Sequence, residues 1–444
     1  MFRKSEIAAD GGNEIRKYLT PHGTISYVPI MSERRRVTYK LYPTPSQVAM
    51  LEALCKLHRD LYNGALEERI SAWRKAQKSI SFADQCASLT QVRAAQPEYC
   101  AVNAQSLQVT LKRLNKAFKA FFQRVKTGKT PGFPRFKSKD RFPGFGFKTH
   151  GDGFKFKPGA NWIHGRLRLS GIGEIAARGE ARTPGRIVCC DINRDSLGWT
   201  LSLVLECQPH RERKGDREAG LDWGVSTYVT LGYSPGEVVA IENPRLFQAQ
   251  AETLAQLGRD LSAQLRKPGK KTKRLLKAKS ALAKRWRKLA NRRKNFTHQT
   301  SAKVVREHSL IATEKLAVKN MTASAKGTVE EPGKNIAQKA GLNREILDTS
   351  PASLIKAILY KAEEAGTAIH ICATRKIKPS QRDPLSWKLV GKKTLAKRTH
   401  KLADGRTIGR DHAAALVMLR DALKTNGREP AWVGKTETPT VATA

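Results

Sequence analysis

The segment AGLDWGVSTYVTLGY, residues 219 to 233, places one carboxylate in an otherwise apolar strand. Ala219, Leu221, Val225, Tyr228, Val229 and Leu231 suit a buried sheet, and Asp222 does not. A buried, unpaired carboxylate costs several kcal/mol or more, so it needs a partner. The candidates are an arginine, a helix end, or something outside the chain such as a metal ion. The flanking strands narrow the choice. GLDWGV, STYVTLGY and GEVVAIEN read as three strands joined by tight turns, Ser234-Pro235-Gly236 marking the second. Alternating helices and strands follow: HQTSAKVVREH, SLIATEKLAV, ASLIKAILYKAEEAG, TAIHICAT and a last helix, DHAAALVMLRDAL. Three antiparallel strands followed by alternating helices and strands describe an RNase H-type fold with its first strand at the sheet centre.

Three carboxylates fall at element ends in that pattern. Asp222 ends the first strand, Glu314 ends LIATE, and Asp411 opens the last helix. Taken singly, Asp411 reads better as a helix N-cap, and Glu314 reads equally as one half of an ion pair with Lys315. Taken together, they read as a metal site. Three like charges in hydrogen-bonding range need a counter-charge, and divalent metal supplies it. Two magnesium ions, or manganese in their place, suit an all-oxygen ligand set and the hydrolysis of a phosphodiester.

The remainder of the chain points to a polyanion. Lys and Arg number 82 against 39 Asp and Glu, a formal charge of +43. Residues 266 to 294 hold fifteen Lys or Arg, and from Leu261 to Arg306 there is no acid at all. Internal ion pairing within that stretch is ruled out, so nucleic acid is the expected partner, with Arg287, Arg292 and Arg293 as contacts and Arg410 beside the acidic set. There is no run of about eighteen apolar residues, which excludes a transmembrane helix and makes a membrane partner unexpected. The first residues lack the apolar core of a signal peptide. Seven scattered cysteines without a CxxC pair fit a reducing, cytoplasmic setting and argue against disulfides and a four-cysteine zinc site.

Towards the N-terminus, RRRVTYKLYPT reads as a basic strand, and a helix capped by Ser46 follows. A second helix, SLQVTLKRLNKAFKAFFQRVKTG, aligns Leu107, Leu111, Leu114 and Phe118 on one face. KTPGFPRFKSKDRFPGFGFK then alternates phenylalanine with basic residues. It reads both as aromatics tucked into a core and as an extended segment on nucleic acid, with Arg135, Lys137 and Lys139 on phosphates. Short alternating runs from about 146 to 209 suggest a small antiparallel barrel that the strand near residue 37 completes, with the helices inserted between.

The ordered motifs also resemble a family. GLDWGV, IATEKLAVKNM and RDHAAALVML resemble the three active-site motifs of the RuvC-like nuclease in TnpB proteins and miniature type V CRISPR effectors. YKLYPTPSQ, LYNGALE, TPGFPRFKSK, HQTSAKVV and ILYKAEEAG are similar to further family segments in the same order, so the resemblance spans residues 36 to 424. It implies an RNA-guided DNA endonuclease whose catalytic, metal-binding set is Asp222, Glu314 and Asp411. The implied partners are a structured guide RNA and double-stranded target DNA with a short flanking motif. Departures point to an alternative, a guided DNA-binding repressor or targeting subunit with weak or no cleavage. Ala413 stands where the family usually has Asn, and Lys315 where it often has Asp. Two zinc-binding CxxC pairs are usual before the last motif. Asp383 and Ser386, then Lys401 and Asp404, stand there instead, so no zinc is expected.

The expected fold is therefore α+β and multidomain: an RNase H-like (RuvC) nuclease domain, plus a small antiparallel β-barrel with an inserted helical recognition bundle. Residues 1–33 read as a flexible arm. Residues 34–45 and 136–212 form the barrel for guide RNA and DNA, and 46–135 the helical insert. Residues 213–425 form the nuclease domain, with a cysteine-free insertion at 379–409, and 426–444 a disordered tail. The charge pattern predicts that the purified protein carries one recurrent, structured RNA. Sequencing the copurified RNA should return a shared scaffold, whereas nonspecific attraction would give a mixture released as salt rises.

Overall fold

The computed structural model describes residues 17–19, 24–27, 33–208, 211–266, 272–327, 330–394 and 396–433. They form two compact units, one within residues 31–208 and the other within 1–30 and 209–444. In chain order, the second unit contributes first, through two short strands, β1 (Lys17–Leu19) and β2 (Thr24–Tyr27).

The first unit opens with β3 (Glu33–Tyr42). Helices α1 (Pro45–Ala76), α2 (Phe82–Ala95), α3 (Pro97–Cys100) and α4 (Ala104–Lys126) follow. Thr44, not Ser46, caps α1: its hydroxyl accepts from the Gln47 amide, Gln47 reaches back to the Thr44 amide, and Pro45 takes the first helical position. That reciprocal pair satisfies two otherwise orphaned amides. The apolar face of α4 is buried as its spacing predicts, through Leu107, Leu111, Leu114 and Phe118.

Six more strands return to β3: β4 (Gly144–Phe147), β5 (Phe154–Pro158), β6 (Ile163–Leu169), β7 (Gly173–Glu180), β8 (Arg186–Asp195) and β9 (Gly198–Cys207). Together they make one curled antiparallel sheet, ordered β4-β8-β9-β3-β7-β6-β5. The expected barrel is a half-barrel, because β4 and β5 are free edges of the sheet. The outer carbonyls of β4 are taken by α4 instead: Ser106 donates to Gly146 and Arg113 to Gly144. An edge satisfied by side chains has no further need of a strand.

The phenylalanine-rich segment divides in two. Phe142, Phe145 and Phe147 are core residues, while Phe133 and Phe136 are about half exposed.

The second unit is a mixed sheet covered on both faces. Its strands are β10 (Arg217–Trp223), β11 (Thr227–Ser234), β12 (Glu237–Glu242), β13 (His308–Glu314) and β14 (Ala368–Cys372), with β1 and β2 beyond β14. β10 lies at the centre, antiparallel to β11 and parallel to β13. The arm expected over residues 1–33 thus contributes two strands, and β2 covers the edge of β14 through Ile25 and Thr24. An uncovered edge would offer a row of unpaired amides, which accounts for the addition.

Between β12 and β13 run α5 (Ala251–Leu265) and α6 (Lys273–Glu307), so the basic stretch and HQTSAKVVRE belong to one helix. After β13 come α7 (Val318–Met321), α8 (Ile336–Thr349), α9 (Pro351–Ala365) and, past β14, α10 (Thr374–Ile377). A small hairpin, β15 (Thr399–Lys401) and β16 (Thr407–Gly409), leads into α11 (Arg410–Thr425).

One sheet face carries Ala219, Leu221, Tyr228 and Ile311 against Val304, Val305, Leu354 and Ile358 of α6 and α9. The other carries Leu310 and Ala312 against Val417, Met418 and Leu419 of α11. Part of the expected tail is packed as well. Arg428 pairs with Glu218 at 2.7 Å, and Trp432 donates its indole N–H to the Tyr233 carbonyl at 3.0 Å. Residues 434–444 of that tail lie outside the described residues, as do 1–16, 20–23 and 28–32 of the arm.

Two glycines set how closely α11 lies on the sheet. A Cβ on Gly220 would stand 1.7 Å from the Ala415 carbonyl oxygen, and one on Gly232 3.0 Å from the Ala415 methyl. Gly220→Ala is expected to lift α11 off β10 and to cost about 3 kcal/mol or more, measured by urea unfolding. The same change at Gly236, which has open space, should cost under about 1 kcal/mol.

Candidate functional site at the carboxyl ends of the parallel strands

Alternation along the strands brings the acidic residues together. Gly220 faces Ala415 on α11, and Asp222 is two residues further along the same face. Asp411 is four residues before Ala415, one turn towards the start of the helix. On β13, Leu310 and Ala312 pack towards α11, which places Glu314 on that face too. Leu221 is in register with Thr313, so the next pair sets Asp222 beside Glu314. The carboxyl ends of parallel strands meeting a helix start are where open α/β sheets generally bind ligands.

The electrostatics follow from this crowding. Burial pushes the Asp222 carboxyl well above the usual range, and the charges of Asp411 and then Glu314 push it further. Arg410 and the Trp223 amide oppose the shift without cancelling it. Glu314 is also raised, by burial, with the Thr374 hydroxyl pulling the other way. Asp411 is not the N-cap of α11. Gly409 occupies that position and makes no side-chain cap, while Asp411 lies in the first turn, 3.4 Å from Arg410 Nε. Arg410, expected as a nucleic-acid contact, is thus a neighbour of the acidic set.

All three residues offer oxygen donors, and around Asp222 the neighbouring acids outweigh the arginine that opposes them. That donor set fits hard divalent cations such as magnesium. The three carboxylates are not drawn together as tightly as another group. Among the described residues, His370, Cys372 and Asp421 are the trio of possible ligands whose atoms all lie within 4.8 Å of one another. Hydrogen bonding accounts for that trio. His370 Nε2 meets Asp421 Oδ2 at 2.9 Å, and burial, followed by the charge of Asp421, keeps the Cys372 thiol protonated. The sequence signal for it is two polar-capable residues at alternate positions of one strand, His370 and Cys372.

The basic candidates fare differently from one another. Arg135 is exposed. Lys137 is held through its backbone by Asn63, at 2.8 and 3.0 Å, and its ammonium stands 6.0 Å from the centre of the Tyr62 ring. Lys139 pairs with Glu52 at 3.3 Å. Arg287 and Arg292 are exposed on α6. Arg293 is not directed to solvent: it pairs with Asp348 at 2.5 Å, and that carboxylate is 4% exposed. Asp348 also accepts from the Phe247 amide at 2.9 Å. A stretch without local acids has found its partner 55 residues downstream.

The zinc implied by the family does not fit the residues present. Positions 383, 386, 401 and 404 are Asp, Ser, Lys and Asp, and the seven cysteines lie elsewhere. A structural zinc normally takes four Cys or His ligands.

Comparison with known proteins agrees with this architecture. A family model described as a probable transposase, OrfB_IS605, matches residues 192–325, and a helix-turn-helix model of the same group matches 31–78. The latter segment is β3 followed by the uninterrupted α1. A protein from Escherichia coli K12 named "Putative RNA-guided DNA endonuclease InsQ" is 27% identical over 336 residues, which is 74% of this chain and 78% of that protein. A protein of the same description from Streptomyces pristinaespiralis is 28% identical over 299 residues, 66% of this chain and 69% of its own length. Among solved structures, the Cas12f1 chain of a complex with sgRNA and target DNA aligns with a TM-score of 0.55 at 15% identity, over 85% of this chain and 83% of that one. The sequence matches support a TnpB-type, OrfB_IS605-related family for this chain, whose sequence lacks the usual zinc-finger cysteines.

The raised Asp222 carboxyl fixes a sign for the effect of pH. Its folded pKa lies above its unfolded value, so the native state binds the extra proton and stability falls as pH rises between the two. The penalty is absent below the unfolded pKa and complete above the folded one. Without divalent metal, Asp222→Asn should therefore be more stable than wild type by about 1 kcal/mol or more at pH 8. The difference should vanish towards pH 4, measured by denaturant unfolding across pH.

Proposed function

We propose that this protein is an RNA-guided DNA endonuclease with an RNase H-like, RuvC-type site. The observation that carries the proposal is the crowding of Asp411 and Glu314 against Asp222 with Arg410 as the one opposing side chain. Asp411 has Arg410 beside it and Asp222 the Trp223 amide, yet the charges of Asp411 and Glu314 still add to the cost of a buried Asp222 carboxylate. A cation completing the set would relieve that cost. The names of the relatives support the DNA-cleaving reading, and the +43 charge supports a nucleic-acid partner.

In this reading Asp222, Glu314 and Asp411 hold divalent metal, magnesium first and manganese in its place. Two such ions, when bound, would activate water and stabilise the leaving oxygen of a phosphodiester. The chain supplies the rest. The carboxylates sit at the carboxyl ends of β10 and β13 and in the first turn of α11. Arg410, next to Asp411, offers a positive charge for a neighbouring phosphate. Guide RNA would give sequence specificity by pairing, while the protein reads duplex shape and a short flanking motif. We assign guide binding to the curled sheet, duplex and flanking-motif contacts to helices α1–α4, and cleavage to the second unit. Arg135, Lys137, Lys139, Arg287 and Arg292 are assigned to phosphates.

The competing reading is a guided DNA binder with weak or no cleavage. Its specific support is Ala413, which is 1% exposed within α11 and gives the site no polar group where the family usually has Asn.

Cleavage assays separate the two. Asp222→Ala should abolish magnesium-dependent cleavage, by about a thousandfold or more, and leave guided target affinity nearly unchanged, since affinity comes from pairing and backbone contacts. Asp411→Ala should act alike, with no helix-cap loss, because Gly409 is the cap residue. A parent protein that binds a guided target tightly yet cuts under no divalent metal would give the binder reading its place.

A further inference from the structure

We infer that the Asp383 carboxylate is a metal-free cross-link. It would do in residues 379–409 the joining that zinc would otherwise do, and so hold the start of α11 in position. The second part rests on the nuclease reading above.

Asp383 is 1% exposed and receives donors from two separated turns. In its own turn, Oδ1 accepts from the Leu385 amide at 3.0 Å, the Ser386 amide at 2.7 Å and the Ser386 hydroxyl at 2.9 Å. Oδ2 reaches the second turn, accepting from the Ala403 amide at 3.2 Å, with His400 Nε2 3.4 Å away. His400 is also buried, and its Nδ1 meets the Lys393 ammonium. One anion thus joins residues twenty apart through fixed donors. Hydrogen bonds to a charged acceptor are about twice as strong as neutral ones. A single carboxylate with this many partners is a stable buried charge, where an unpaired one would be prohibitive.

The two turns coincide with the two pairs that lack cysteine. Asp383 and Ser386 are three apart, as are Lys401 and Asp404, and Gly405 follows at φ 90°. The Ala403 amide that meets Asp383 lies between Lys401 and Asp404. The segment is also fastened to α11. Arg420 Nη1 donates to the Pro384 and Leu385 carbonyls at 2.7 and 2.6 Å. The Trp387 ring has Arg382, Arg420 and Lys424 around it at 4.9, 5.3 and 4.8 Å. At the far end, the Arg410 amide donates to the Arg398 carbonyl at 2.8 Å, just before Asp411. Asp383 touches none of the three site carboxylates. It is a positioning residue, acting through the hairpin that delivers Asp411.

Hydrogen exchange on the full-length protein reads the cross-link directly. Asp383→Ala should speed exchange of the Ser386 and Ala403 amides by about tenfold or more while β13 stays protected. Unchanged exchange at both amides overturns the inference. A second protein, D383C/S386C/K401C/D404C, does not depend on Asp383→Ala folding. It should take up one zinc per chain, regain slow exchange with zinc and lose it on chelation, while wild type takes up none. Failure to bind zinc, or stoichiometric zinc in wild type, also overturns it. For the positioning role, Asp383→Ala should lower the cleavage rate at saturating target by about tenfold and leave target affinity within about twofold, and zinc should restore the rate in the four-cysteine protein. Equal cleavage by Asp383→Ala and wild type removes that role. If wild type does not cleave, the nuclease reading fails alone, and exchange and zinc uptake still decide the cross-link.

Discussion

Everything in the second unit depends on how closely α11 approaches β10. Gly220 leaves no room for a Cβ beneath the Ala415 carbonyl, and Gly232 and His412 extend the seam onto β11, where His412 Nε2 lies 2.9 Å from the Ser234 carbonyl oxygen. Small residues at the contact let the helix axis come nearer the sheet than side chains normally allow. The helix is then enclosed along most of its length, from His412 to Leu423. The same approach carries Asp411 to the end of β10. Packing and the candidate site are one arrangement, since a helix a few ångströms further out would take Asp411 away from Asp222 and Glu314.

Charge is distributed with a matching logic. A chain of +43 has cations to spare, yet Arg410 is the cation set against the charges of Asp411 and Glu314 on Asp222. Elsewhere, buried acids are amply paired. Asp348 has Arg293 and a backbone amide, and Glu364 has Arg211 at 2.8 Å. Asp383 accepts four hydrogen bonds, with His400 Nε2 a further 3.4 Å contact. Against that background the set at the ends of β10 and β13 stands apart, and that contrast is the physical support for the site proposed there.

The segment before α11 shows two solutions to one problem. A short stretch with little apolar residue content cannot hold its own turns by burial. Metal coordination is one remedy, and a buried carboxylate with donors from both turns is another. The second requires the donors to be backbone amides, whose positions are fixed by the turns themselves. It explains how the segment keeps an ordered hairpin with Asp, Ser, Lys and Asp where soft ligands would stand.

By itself the sequence determined the elements, because their signals are local. Apolar runs bounded by tight turns marked β10 and β11, helical spacing marked the buried face of α4, and the polarity of one strand position marked Asp222. Even there, Thr44 and not Ser46 caps α1, since Gln47 and Pro45 decide the cap together. The tertiary structure alone decided who meets whom. Asp222, Glu314 and Asp411 are about ninety residues apart in turn, and only strand register and the Gly220 seam bring them to one sheet end. Arg293 is taken out of solvent by Asp348, β1 and β2 are added at the edge of β14, and Asp383 is given its second turn by the fold of residues 399–409. None of these has a local sequence signal. Each is fixed by distant backbone positions that a short window of residues does not encode.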